Sequence, residues 1–271
     1  MPPIEYLLLF AALGCVVGFM AGLLGIGGGG IAVPSLTALF LSMGVAKGEV
    51  VHLALGTSMA AMIVTAFSSM RSHSKRGNVL VPIVKALAPG IIVGTFAATF
   101  LAAKLPARAL AIFFAAFMAF AAFQMFRGTP PGDGSRQLLP APWLFGGGLL
   151  IGAVSALVSI GGGSLTVPFL NWQSVDIRKA IGTSSAVGFP IAIAGTVGYA
   201  INGAMAAGQA SSQPLTAGFV YLPAALLLAS GSFFMAPVGA TVAQKMQVAP
   251  LKRLFGLLLL GLSLRMLFSV L

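Results

Sequence analysis

Gly25-Ile26-Gly27-Gly28-Gly29-Gly30-Ile31-Ala32-Val33-Pro34 returns later in the chain as Ser159-Ile160-Gly161-Gly162-Gly163-Ser164-Leu165-Thr166-Val167-Pro168, at an offset of 134 residues. Each copy is a glycine run inside apolar sequence, closed by Val-Pro. Such a run interrupts a helix, and interruptions at matching places in two halves of an apolar chain point to a transporter's binding site. The matches extend beyond the glycines. Ala54-Leu55-Gly56-Thr57-Ser58 is answered by Ala180-Ile181-Gly182-Thr183-Ser184, Val81-Pro82 by Leu222-Pro223, Gly90 by Gly231, Lys104-Leu105 by Lys245-Met246 and Met125-Phe126 by Met266-Leu267. The order is the same in both copies, which marks an internal duplication.

Composition sets the class. Of the 271 residues, 58% are apolar and 7% are charged, against roughly 25% charged in soluble domains. Each half reads as five apolar segments. They run over 4–24, 31–45, 50–70, 79–103 and 107–126 in the first half, and over 143–160, 165–175, 177–202, 217–243 and 248–270 in the second. The second segment of each half is too short for a ~30 Å hydrocarbon core at ~1.5 Å per residue. The first two segments of each half are therefore expected to form a hairpin turning at the glycines within the membrane, followed by three spans. The fold class that follows is an all-α polytopic membrane protein of two inverted-topology repeats, each a glycine-broken helical hairpin plus three transmembrane helices. The repeats are placed at 1–126 and 143–271, with a cytoplasmic linker at 127–142. The N-terminus lacks a basic region and an A-x-A cleavage site, so 4–24 reads as a retained membrane segment.

Charge tests the inversion. With the loop Arg71-Ser72-His73-Ser74-Lys75-Arg76 in the cytoplasm, Arg71, Lys75, Arg76, Arg127, Arg136, Arg178, Lys179, Lys245, Lys252 and Arg253 lie inside and Lys47, Lys104 and Arg108 outside, which is 10 against 3. Parallel halves would move five of the ten outside, against the positive-inside rule. Both termini are then expected outside, in an inner (plasma) membrane. The net charge of +11 is accounted for by these short loops and carries no nucleic-acid signal. Cys15 stands alone, which rules out an internal disulfide.

A backbone turn at membrane depth must be buried in protein or line a polar cavity. The helix that starts after it offers unpaired N–H groups and a partial positive charge, which together suit an anion. The candidate substrate-binding residues are Gly27, Gly28, Gly29 and Gly30 with Gly161, Gly162, Gly163 and Ser164, completed by the hydroxyls of Thr57, Ser58, Thr183 and Ser184. The plainer alternatives are close helix packing by small residues and hydroxyls bonded to their own helices. Ser35, Thr37, Thr166 and Asn171 on the short segments are weaker candidates. His52 opens a span beside Glu49 and is a candidate coupling group, although its place near the interface also suits ordinary solvation. Lys85 and Arg265 sit where snorkelling explains them. The four acids, Glu5, Glu49, Asp133 and Asp176, all lie near boundaries or in loops, which speaks against a cation carrier with a buried carboxylate relay. No metal-ligand spacing, carboxylate pair or P-loop ending is present, so neither an enzyme nor a cofactor or metal is expected.

The doubled G-x-G-G-G-x-x-x-V-P motif, with Gly56-Thr57-Ser58 downstream, resembles the sulfite exporter TauE/SafE family over essentially the whole chain. The second copy departs from it at Ser159 and Ser164, which predicts an asymmetric pocket. The resemblance implies a secondary transporter of small sulfur-containing anions, such as sulfite, sulfonates like sulfoacetate, or thiosulfate. A small-anion channel or a carboxylate permease is the alternative. The anion comes from the helix termini, and the sulfur from the resemblance alone.

Overall fold

A computed structural model describes residues 3–24, 28–127, 139–206, 214–245 and 248–270. Gly27 and most of the linker expected at 127–142 lie outside the described residues. Ten helices follow one another: α1 Ile4–Leu24, α2 Gly29–Ser42, α3 Val50–Lys75, α4 Val81–Lys104, α5 Ala107–Arg127, α6 Ala141–Val158, α7 Gly163–Trp172, α8 Ile177–Met205, α9 Leu222–Lys245 and α10 Val248–Val270. They match the ten expected segments in order. A two-stranded antiparallel hairpin, β1 Thr216–Ala217 and β2 Val220–Tyr221, precedes α9 where the sequence reading placed only the start of a span.

Among the described residues, seven helices are long and apolar enough to cross a membrane. Large apolar side chains such as Leu150, Leu226, Phe234 and Phe268 cover the exterior. Water would not tolerate that surface, whereas lipid suits it. The chain is a multi-pass membrane protein. The helices α2 and α7 have 14 and 10 residues, or about 21 and 15 Å of rise, so neither spans. Each carries its proline, Pro34 or Pro168, as the sixth residue. Both start two residues earlier than expected, so Gly29, Gly30, Gly163 and Ser164 belong to the first helical turn rather than to the loop.

The halves interlock by exchange. The helix α1 packs on α9 and α6 packs on α4; α8 packs on α4 and α3 on α9; α3 packs on α8 and α5 on α10. Exchanging the halves maps this set of pairs onto itself. Small residues bring the backbones together. A Cβ on Gly14 would stand 2.8 Å from Leu228 Cα, and one on Gly18 would overlap Ser232. At the corresponding places, a Cβ on Gly148 would overlap the Leu87 carbonyl, and one on Gly152 the Ile91 carbonyl. Membrane helices gain little from apolar burial against each other, so such close approach is a main source of their packing energy. The aromatic cluster of Phe10, Phe40 and Tyr221, with ring centroids 5.7–6.0 Å apart, ties α1 and α2 to β2.

Candidate functional site

The two glycine turns meet. A Cβ on Gly29, at the start of α2, would overlap the carbonyl of Ser159, which closes the end of α6. From α8, a Cβ on Gly188 would stand 2.7 Å from the Gly161 carbonyl oxygen. The turn into α7 needs its glycine, because Gly162 is held at φ +76° as the N-cap, a region that disfavours side chains. Ser159 adopts a left-handed φ of 50° to end α6. The amides of Leu165 and Thr166 donate back to the Gly162 carbonyl, at 3.1 and 2.7 Å. Those of Gly162, Gly163 and Ser164 have no backbone acceptor among the described residues, and no side chain caps the helix. The start of α7 therefore keeps a set of free N–H donors and the positive end of the helix dipole.

One of the three, Gly163, borders a cavity of about 260 Å³. Its inner end is formed by Gly161 and Gly163 of the turn, by Ser184, Ser185 and Gly188 of α8, and by Met62 of α3. Its wall follows α3 through Thr65, Ser69, Ser72 and His73 to the exposed Arg76, the one permanently charged side chain on the wall among the described residues. Fourteen residues of helix separate Met62 from Arg76, so the cavity runs about 21 Å along α3. The positions 62, 65, 69, 72 and 76 advance by three and four residues, which puts them on one helix face. A second space of about 10 Å³ lies at the first-half turn, bordered by Gly28, Gly29, Ser58 and Ser232. It shares Met62 and Thr65 with the large cavity. The two spaces are thus neighbours, with these two residues bordering both.

The repeated Gly-Thr-Ser triplet divides into three jobs. The glycines permit close approach: a Cβ on Gly56 would overlap the Phe219 carbonyl, and one on Gly182 the Asn78 carbonyl. The threonines hold the entries of the helices that follow in the opposite half. Thr57 Oγ1 accepts from the Tyr221 N–H at 3.0 Å, and Thr183 Oγ1 accepts from the Leu80 N–H at 3.0 Å. The serines face the cavities, Ser58 the small one and Ser184 the large one. Ser184 Oγ also donates to the Ile181 carbonyl at 2.9 Å.

Of the residues singled out from the sequence, Gly28, Gly29 and Ser58 gather at the small space and Gly161, Gly163 and Ser184 at the large one. Gly30 faces Leu259 and Met118 instead, and Gly162 faces Ile191 and Val187 of α8. The Ser164 hydroxyl is buried without a partner. Thr57, Thr183 and Ser164 border neither space. His52 is not solvated at an interface, as its position suggested. It is 5% exposed, its Nε2 lies 3.0 and 3.1 Å from the carbonyl oxygens of Ala102 and Leu105 at the end of α4, and its ring packs on Phe219. Lys85 and Arg265 are exposed, as snorkelling side chains are. Sequence reading missed the polar face of α3, because it ended that span at 70 and read His73 and Arg76 as loop. Its signal was present in the spacing of Thr65, Ser69 and Ser72 within an apolar run.

Comparison with known proteins agrees with this architecture. The family model described as sulfite exporter TauE/SafE matches residues 10–266. A probable membrane transporter protein of Haemophilus influenzae is 33% identical over 96% of this chain and 98% of its own length. One of Methanocaldococcus jannaschii is 26% identical over 89% of each chain. Another, YdhB of Bacillus subtilis, is 29% identical over 69% of this chain and 76% of its own. No solved structure matches. Relatives and family alike are membrane transporters rather than enzymes, and a match over nearly the whole length places this chain in the sulfite exporter TauE/SafE family.

Proposed function

We propose that the protein is a secondary transporter that carries small sulfur-containing anions, namely sulfite, a sulfonate such as sulfoacetate, or thiosulfate, across the inner membrane by alternating access. The observation that carries this reading is the inner end of the large cavity, where Gly163, with its amide unbonded at the start of α7, borders the same space as Ser184 and Ser185, whose hydroxyls donate to the Ile181 carbonyl here and would turn to the anion when it binds. Uncharged donors of this kind stabilise an oxyanion without binding it too tightly to release. Arg76 at the open end raises the local concentration of anions. Gly28, Gly29 and Ser58 supply the matching surface from the first half, in the neighbouring small space.

The excess of Lys and Arg on one set of loops orients the open cavity toward the cytoplasm, with both termini outside and the halves inverted. Inversion would let one half move against the other around a site at the midplane. In this reading His52 anchors the end of α4 and is not a coupling group, since it borders neither cavity. Thr57 and Thr183 support the site by fixing the helices around it.

Counterflow in proteoliposomes tests the proposal. Vesicles loaded with unlabelled sulfite should accumulate labelled sulfite with saturation. Gly161→Leu should abolish this while the protein still inserts, because a Cβ there meets only the flexible sulfur of Met62, at 3.1 Å. Flux without exchange or saturation would make the protein a channel. Exchange confined to carboxylates would make it an organic-acid permease.

A further inference from the structure

The duplication gives every residue around the open cavity a counterpart in the other half. Offsets of 134 residues between α1 and α6, 126 between α3 and α8, and 141 between α4 and α9 follow from the repeated motifs. By these offsets Ala21 corresponds to Ser155, Gly22 to Ala156, His73 to Tyr199, Arg76 to Asn202, Ser69 to Gly195 and Ala236 to Thr95. The first member of each pair borders the open cavity. The second members lie together where α8 packs on α4 and α6, and there the space is filled.

Named contacts fill it. Tyr199 is fully buried and donates from its hydroxyl to the Ala156 carbonyl at 3.0 Å. Its counterpart His73 borders the open cavity, as does Gly22, and His73 Nδ1 has no partner. Asn202 Nδ2 donates to Thr99 Oγ1 at 3.2 Å and to the Gly198 carbonyl at 2.7 Å, joining α8 to α4. A Cβ on Gly195 would stand 2.9 Å from Met59 Sδ.

Within this packed region two hydroxyls have no partner. Thr95 Oγ1 and Ser155 Oγ are fully buried and unbonded, and they stand where the open cavity has Ala236 and Ala21. A buried hydroxyl without a partner is unfavourable, and an alanine would avoid the cost. The other half uses alanine at both places. These hydroxyls are explained if the region fills with water and substrate in a second conformation.

We propose that the packed region between α8 and the α4–α6 pair is the second vestibule of the transport path, shut in this conformation. Tyr199 and Asn202 form its gate, and Thr95 and Ser155 line its wall. This rests on the transport reading above. The vestibule opens to the opposite face from the Arg76 cavity when α8 parts from α4 and α6, and the Arg76 cavity closes in the same step.

Thiol labelling in membrane vesicles tests this without any substrate. In a Cys15→Ser background, Ser69→Cys marks the open cavity and Ser155→Cys the shut one. A membrane-impermeant maleimide is applied from either face. Ser69→Cys should react from the Arg76 face. Ser155→Cys should react slowly, and from the opposite face. Adding Tyr199→Phe, which removes one hydroxyl and keeps the ring, should speed Ser155→Cys labelling about tenfold and slow that of Ser69→Cys. Tyr199→Ala should do so more strongly. Two results would overturn the proposal. One is Ser155→Cys reacting from the same face as Ser69→Cys. The other is an unchanged Ser155→Cys rate in both Tyr199 variants, while Ser69→Cys labelling shows the protein folded. Opposite-face labelling with no counterflow of sulfite, sulfoacetate or thiosulfate would keep the vestibule and remove the assigned substrate.

Discussion

Gly14 meets Leu228 where α1 crosses α9, and Gly148 meets Leu87 where α6 crosses α4, so one interface is built twice from corresponding residues. The spaces beside those interfaces differ. The one near α1 and α9 is an open cavity of about 260 Å³ with Ala21 and Ala236 on its wall, while its counterpart is packed shut around Ser155 and Thr95. Both copies keep the glycines at these two crossings, Gly14 and Gly18 with Gly148 and Gly152. They diverge along the cavity wall, at Ala21 and Ser155 and at Ala236 and Thr95. Framework and path are thus separable by comparing the two halves of a single chain.

The comparison breaks most visibly at the framework. Gly18→Val and its counterpart Gly152→Val each force a side chain into the backbone of the facing helix. Overpacking of this kind costs about 1–3 kcal/mol or more. Both variants should lose the folded, monodisperse species in detergent, as read by gel filtration. Normal behaviour of either one would show that the two interfaces are not equivalent.

Next come the paired threonines. Thr57→Val and Thr183→Val each leave one backbone N–H without its acceptor, at Tyr221 or Leu80. Each should lower stability by about 1–2 kcal/mol, read as equal drops in melting temperature. Sulfite affinity should hold, because neither side chain borders a cavity. A selective loss of affinity would place the threonines in the site after all.

The two mouths should differ in kinetics. Arg76→Gln should raise KM for anion transport about three- to tenfold with kcat little changed, since Arg76 stands about 21 Å from the inner end of the cavity. Asn202→Ala, its counterpart at the shut vestibule, should alter kcat more than KM. Equal effects would erase the distinction between an open and a closed side. The smallest effect belongs to Lys85→Gln and Arg265→Gln, which change exposed side chains and should leave counterflow within about twofold.

Much of the fold was legible because a duplicated apolar chain repeats its punctuation. Glycine runs, Val-Pro pairs and charged loops fixed ten helices in order, and Asp176 caps α8 through the amides of Arg178 and Lys179 where that segment was expected to begin. The site was legible in part. Glycine turns and the serines of the triplet reach the cavities, but the triplet's threonines bond to residues 103 and 164 positions away, which no local pattern reveals. His52 is similar: its carbonyl partners lie 50 and 53 residues on, at the end of another helix. The hairpin before α9 has only two residues per strand, too few for a period-two signal. The shut vestibule needed both sources, the offsets from the sequence and the hydrogen bonds from the structure.

The central claim is an anion site at the inner end of the open cavity. Its most direct test is thermal stabilisation of the purified protein across sulfite, sulfoacetate, thiosulfate, sulfate, lactate and sodium, for wild type and Gly161→Leu. A ligand that binds the native state raises the melting temperature as its concentration passes Kd. The account predicts a dose-dependent rise with at least one reduced sulfur anion or sulfonate in wild type, and none in Gly161→Leu. A rise that survives Gly161→Leu, or one produced by sodium alone, would contradict it.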